Sequence, residues 1–149
     1  MTKKSVPWKS VGFDIREVGE KLLRKQSQGE VALLATINSQ GRPAIAPVCP
    51  IFTDDGVFVL VGKNTPKYQH LLKNPGYALH AQVGADDLEF QISGQGQFIG
   101  ANHDRSQVLA AISFPSFDET DPIIELLVSR ALVVRWVDGK MQKHSWTSG

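Results

Sequence analysis

The sequence predicts a mainly β protein: a barrel of six or seven antiparallel strands, with an N-terminal helix and short connecting helices. Three observations carry this. Apolar runs rich in β-branched and aromatic residues recur at short spacing along the 149 residues. Tight-turn signals separate most of them. Gly94 and Gly96 interrupt one long run, as a strand does where it curves sharply or lets another group come close to its backbone. No repeat, low-complexity tract or linker divides the chain, so residues 1–149 are read as a single domain with 1–12 as an N-terminal arm.

The arm holds Lys3, Lys4, Pro7 and Trp8 without a clear period, and Trp8 is expected to pack on the body or on another subunit. From Phe13 to Gln28, Phe13, Val18 and Leu22 fall at helical spacing, with Ile15 and Leu23 beside them. Arg16, Glu17, Glu20, Lys21, Arg24 and Lys25 fill the other face, and Gly29 ends this amphipathic helix, whose place is over one opening of the sheet. Glu30 to Asn38 is a strand, and Asn38-Ser39-Gln40-Gly41 its turn. Pro43 to Thr53 is a second strand, in which Pro47 and Pro50 remove ladder donors and so predict an edge, a bulge or a rim.

Asp54-Asp55-Gly56 turns the chain into Val57-Phe58-Val59-Leu60-Val61. This run has no polar interruption, which predicts a strand buried on both faces in the middle of the sheet. Thr65 is an N-cap, Pro66 suits the first helical position, and Asn74-Pro75 stops that helix after about two turns. Tyr77 to Val83 is a strand, Gly84 to Asp87 a polar turn, and Glu89 to Ile99 the strand with the two glycines. Asn102 caps a helix running to about Ile112, with Val108, Leu109 and Ile112 as its apolar side. Ser113 to Phe117 is a loop with two aromatics, and Pro122 to Leu127 a short helix. Ala131 to Val137 and Lys140 to Trp146 form a hairpin around Asp138-Gly139, a type I′ signal.

With 16 basic against 15 acidic residues, the chain makes no electrostatic case for nucleic acid or an anionic membrane as partner. No apolar run approaches the length of a membrane span, and the polar, lysine-containing start has no signal-peptide pattern, so a cytoplasmic protein is expected. The single Cys49 excludes an intrachain disulfide, fits a reducing compartment and reads as a small buried hydrophobe. His70, His80, His103 and His144 lack metal-ligand spacing, so no metal site is expected. No Ser-His-Asp order with a nucleophile elbow is present, and Gly94-Gln95-Gly96 is too short and strand-like for a dinucleotide loop. Asp54-Asp55 and Asp86-Asp87 read as turn chemistry. Trp136 and Trp146 are expected in the core or at a dimer interface, and Phe114 and Phe117 at an interface or over a cofactor cleft.

One candidate site remains. A buried strand hands directly to the helix beginning at Thr65-Pro66-Lys67, where unbonded amides, the positive end of the peptide dipoles and the ammonium groups of Lys63 and Lys67 converge in a way that attracts phosphate. The same residues would serve any helix start.

Taken in order, Leu34-Ala35-Thr36, Gly41-Arg42-Pro43, Pro47-Val48, the Asp-Asp-Gly turn, Thr65-Pro66-Lys67, Leu71, Asn74-Pro75 and Gly94-Gln95-Gly96 resemble the pyridoxamine 5′-phosphate oxidase-like family of flavin-binding split β-barrels. The resemblance covers residues 14 to 100. It implies a split barrel that forms a homodimer, with FMN in a cleft between subunits. Such a protein is an oxidoreductase passing hydride or electrons between flavin and a small-molecule acceptor; no dedicated catalytic side chain is identified. Lys67 matches the family's phosphate lysine, Thr65 the hydroxyl residue before it, and Lys63 adds charge nearby. Ala46, Pro47, Val48 and Cys49 occupy the strand whose backbone lies along the flavin ring, and Gln91 matches a glutamine near the ring.

The chain departs from the family where many members have Arg at the position of Ala46 and Thr or Ser at that of Val61. Each charge-assisted hydrogen bond lost there is worth about 1.5–3 kcal/mol. Deazaflavin or haem therefore stand as alternative cofactors, the latter with His144 as axial ligand, and so does a barrel that has lost its cofactor. The C-terminal part lacks the basic motif of true pyridoxamine phosphate oxidases, so vitamin synthesis is not expected.

Overall fold

A computed structural model describes residues 4–27, 31–100 and 105–149. Its strands are β1 (Ala32–Ile37), β2 (Pro43–Val48), β3 (Ile51–Phe52), β4 (Val57–Leu60), β5 (Gly76–His80), β6 (Glu89–Phe98), β7 (Ile123–Val137) and β8 (Lys140–Thr147). Its helices are α1 (Phe13–Ser27), α2 (Pro66–Lys73) and α3 (Arg105–Ala110). All pairings are antiparallel, in the order β2-β1-β5-β6-β7-β4-β3, with β8 also on β7. The predicted ends at Gly29 and Glu30, and the Asn102 cap, lie outside the described residues.

This order forces the sheet to curl. β2 and β3 stand at opposite ends of it, so a flat sheet would hold them roughly 29 Å apart at ~4.8 Å per strand step. Yet only Cys49 and Pro50 separate Val48 from Ile51, and three residue steps span at most about 11 Å. The two ends must come round to meet, giving a half-barrel with its core inside the curl.

The predicted strand from Pro43 to Thr53 is therefore two strands. Pro50, with no N–H to continue a ladder, sits at the corner between them, and the division raises the count from six or seven strands to eight. As the two prolines predicted, β2 is an edge strand.

The run Val57 to Val61 lies one strand from the end of the order, not in the middle, but it is buried on both faces. Val57 and Val59 join the main core. Phe58 points the other way, into a second cluster with Ile51, Ile123, Val108 of α3 and Phe114. Phe114 and Phe117 stack edge to face over this cluster and do not roof the α2 cleft described below. Residues 122–127, predicted helical, are extended: Ile123, Ile124 and Glu125 pair with β4 on one side while the strand pairs with β6 on the other. Two ladders outweigh any local helical preference.

β7 is the seam of the molecule. One edge carries β6 along nearly its whole length; the other carries β4 at one end and β8 at the other. In the gap between them, Val6 of the arm exchanges both backbone hydrogen bonds with Val128, at 2.9 and 2.7 Å. A bulge in β7 leaves Ser129 unpaired opposite the step from Ser93 to Gly94, and there the strands are so close that a Cβ on Gly94 would stand 2.1 Å from the Leu127 carbonyl oxygen. At the hairpin tip, Asp138 and Gly139 both take positive φ, as a type I′ turn requires.

α1 closes one opening of the curl with Ile15 and Leu23, eight positions apart on one helical face, with Gly19 midway between them against Phe90 and Trp8. Phe13, expected on that face, is exposed, and the Arg16 guanidinium lies 5.9 Å from its ring centroid. Trp8 packs on the body of its own chain: its indole N–H donates to Glu20 Oε1 at 2.9 Å, and its ring meets Phe52 and Phe90 edge to face. Trp146 packs against the core, whereas Trp136 is exposed.

Gly94→Ala must push two paired backbones apart, so a loss of about 3 kcal/mol is expected, at the upper end of overpacking costs. Thermal unfolding should show it as a fall of roughly 6–12 °C in Tm. Gly100→Ala, whose new Cβ meets nothing within 4 Å, should stay within about 0.5 kcal/mol of the parent.

Candidate functional site

The site forms where α2 lies against the open edge of the sheet. Directly paired residues of antiparallel strands share a face, so Ala44 and Ala46 of β2 point inward beside their partners Thr36 and Leu34 of β1. α2 crosses this corner with Leu71 in the core. Between its first turn and β2 is a cleft of about 300 Å³, lined by Thr36, Ala44, Ala46, Thr65, Lys67 and His70 among others. β2 contributes only the apolar Ala44, Ile45 and Ala46 here, so every charged or polar side chain comes from β1 or from α2 and its N-cap.

Thr65 occupies the N-cap position with extended backbone, but its hydroxyl does not cap the helix. Oγ1 donates instead to the Gly62 carbonyl at 2.7 Å. The first-turn amides of α2 thus keep their positive potential toward the cleft. His70 lies three residues beyond Lys67 on the same side of the helix. Its Nδ1 is 2.9 Å from Thr36 Oγ1, joining α2 to β1.

The structure gathers three of the predicted residues, Ala46, Thr65 and Lys67, around this cleft. Lys63 is exposed and belongs to a different neighbourhood. The Thr120 hydroxyl and amide, with Lys63 and Arg105 adding charge, hold the Asp118 carboxyl below its usual range. Pro47 faces the opposite side of β2 from Ala46 and is exposed, Val48 is buried in the core, and Cys49 is half-buried at the corner.

Gln91 is set apart from the other predicted residues. It shares the outer face with its partner His80 and, beyond that, Leu33. Three strand steps, roughly 14 Å, separate it from β2. Thr36 and His70, by contrast, belong to the cleft and were missed from sequence. The three-residue spacing from Lys67 was the available signal for His70; Thr36 stood in the Leu34-Ala35-Thr36 motif, but tying it to the cleft required knowing which strand α2 covers.

Two further concavities flank the fold. On the outer face of β1, β5 and β6, Ala35, Ala78 and Ser93 floor a cleft of about 450 Å³. Beside it Leu33 and Ile45 are 46% and 69% exposed. Tyr77 also borders this cleft; burial, then the charge of Glu125, pushes its phenol well above the ordinary range, and its hydroxyl donates to the Leu127 carbonyl at 2.9 Å. The third concavity, about 460 Å³ between α1 and the β7–β8 hairpin, is lined by His144 with Val18, Val133, Lys21, Arg135, Asp14 and Glu17. Among the described residues no cluster of three or more His, Cys, Asp or Glu side chains could hold a metal ion, and no helix is long and apolar enough to cross a membrane.

No family model and no curated protein matches the sequence. The fold does match solved structures. A heme binding protein from Mycobacterium smegmatis aligns at TM-score 0.64 and 16% identity, over 87% of this chain and 57% of that one. A pyridoxamine 5′-phosphate oxidase-related, FMN binding protein from Nostoc punctiforme aligns at TM-score 0.60 and 10% identity, over 93% and 98% of the two chains. A pyridoxinephosphate oxidase family protein from Clostridium acetobutylicum aligns at TM-score 0.60 and 15% identity, over 85% and 92%. The chain spans little more than half of the first of these, 57% of its length. The fold is that of the pyridoxamine 5′-phosphate oxidase-like split barrel, as the sequence motifs implied. At these identities the likeness establishes the fold alone.

Burial raises the Cys49 thiol above its ordinary pKa, which disfavours the thiolate near neutral pH. Alkylation by iodoacetamide at pH 7.5 should be slower in the folded protein than in urea, with the folded rate profile displaced to higher pH.

Proposed function

We propose that this chain is one subunit of a homodimeric FMN-binding oxidoreductase, in which flavin exchanges hydride or electrons with a small-molecule acceptor. The observation that carries the reading is the cleft at α2, where Lys67, Thr65 and the first-turn amides converge beside the edge strand β2. Lys67 and the amides suit a phosphate monoester, a dianion whose oxygens accept charge-assisted hydrogen bonds. As an edge strand, β2 turns half of its backbone polar groups away from β1, along the stretch from Ala46 to Cys49 where the ring of the cofactor would lie. Bound there, flavin would supply the redox chemistry itself, leaving the protein to bind, orient and exclude water.

At about 300 Å³ the cleft is at the small end of ligand pockets. A phosphate and its polyol chain fill it, and a tricyclic ring must lie outside, along the β2 edge. Covering that ring falls to a second copy. Ile45 and Leu33, exposed on the outer face of β2 and β1, supply the apolar contact for an isologous dimer. Gln91 on this same face would then serve the partner's ring rather than its own.

Haem is the second reading, since one matched structure is a heme binding protein and His144 lines a groove with Val18, Val133, Lys21 and Arg135. Asp14 and Glu17 line that groove too, and would meet the propionates with like charge. Flavin is therefore preferred. Deazaflavin would enter the same α2 cleft and is separated from FMN by its absorption spectrum.

Purified protein titrated with FMN should develop a perturbed flavin spectrum and quench flavin fluorescence. In Lys67→Ala, Kd should rise about 10- to 150-fold, the equivalent of one hydrogen bond to a charged group. Indifference to FMN, together with a Soret band on haem addition that vanishes in His144→Ala, would replace this reading with the second. Sedimentation should show a dimer, and Ile45→Glu should shift it to monomer with intact circular dichroism; a monomeric parent would remove the shared-cleft proposal.

A further inference from the structure

We infer that His70 is the side chain by which the cleft distinguishes a phosphorylated ligand from its uncharged counterpart, with Thr36 as the residue that positions it. The inference rests on the flavin reading for its probe, and on the following geometry for its argument.

Thr36 is only 3% exposed, on the inward face of β1. A hydroxyl so placed is costly unless hydrogen-bonded, and the partner it has is His70 Nδ1 at 2.9 Å. That bond fixes which ring edge His70 turns to the sheet. Nε2 lies on the other edge, and His70 lines the cleft beside Lys67. Among the described residues, the Thr36 contact is the hydrogen bond made by the His70 ring.

The ring can make this contact in more than one form. If Thr36 donates its hydroxyl hydrogen to Nδ1, the neutral ring carries its hydrogen on Nε2. If the ring is protonated on both nitrogens, Nδ1–H donates to Thr36 Oγ1 and Nε2 still carries hydrogen. Either form presents an Nε2–H donor to the cleft, and an anion there selects these forms over the tautomer protonated on Nδ1 alone. Across the cleft, Ala44 and Ala46 offer no donor. His70 therefore stands as the second side-chain donor beside Lys67, in a site where β2 supplies none.

Two substitutions separate this role from a merely structural tie between α2 and β1. The Asn side chain reproduces the position of Nδ1 and the Gln side chain that of Nε2. His70→Asn keeps the Thr36 contact and loses the donor toward the cleft; His70→Gln does the reverse. The readout is the ratio of riboflavin Kd to FMN Kd, with Tm measured alongside. For His70→Asn the ratio should fall about 10- to 100-fold with riboflavin affinity and Tm near the parent, and His70→Gln should recover most of it. An unchanged ratio in His70→Asn, in a protein that does bind FMN, overturns the inference and leaves the flavin reading standing. Inorganic phosphate, titrated while the His70 ring signals are followed by NMR, separates the two in the other direction. A shift at His70 sustains its anion role even if FMN does not bind, and no shift with phosphate or FMN overturns it.

Discussion

The two-residue corner at Cys49 and Pro50 is the constraint on which the rest of this structure depends. It ties together strands at opposite ends of a long antiparallel path, so the sheet has no flat solution. Curling puts one face of nearly every strand around a common interior, where Leu34, Leu79, Ile92, Leu126 and Val133 meet Ile15 and Leu23 of the first helix. The same corner leaves β2 with an unpaired edge beside α2. The core and the candidate site are thus two consequences of one short connection.

The outer surface of the curl is treated unevenly. At β3, β4 and the start of β7, α3 and Phe114 cover it with a second apolar cluster. At β2, β1 and β5 no helix among the described residues covers it, and the exposed Leu33 and Ile45 are bordered by a cleft floored with alanine and serine. Leu33 and Ile45 are the apolar side chains on which the proposed homodimer rests. The arm helps to make the division sharp. By pairing with Val128, Val6 bridges the break between β4 and β8, so β7 offers no free edge at its midpoint where another strand could add.

Within the candidate site, the source of positive potential has moved off the strand. Ala46 gives β2 no charge, and Lys63 faces the acidic loop at Asp118. What remains is concentrated on α2: its first-turn amides, Lys67, and an imidazole one turn further on that is braced against β1 by a buried hydroxyl. A site built from one helix face is geometrically simple, because residues three and four apart are presented together. It also makes the site depend on how that helix is pinned to the sheet, which is what the Thr36 contact and the burial of Leu71 accomplish.

Much of this was legible in the sequence, for local reasons. Proline and glycine positions, alternation and the Asp138-Gly139 turn act on the chain within a few residues, so the hairpin, the short α2 helix, the edge character of the Pro47 strand and the close approach at Gly94 follow from residue type. Thr65 and Lys67 could be placed at a helix start for the same reason. The errors share a different cause. Residues 122–127 became strand because two neighbours distant in sequence were both available to pair with them. Val57 to Val61 found its second burial surface under a helix rather than at the sheet centre. His70 joined Lys67 only because α2 settles on Thr36. Residue type by itself determined which segments bend, pair or start a helix; which segments meet was decided by the closing of the sheet, since contacts across dozens of residues are selected by the whole core and not by any window of the chain.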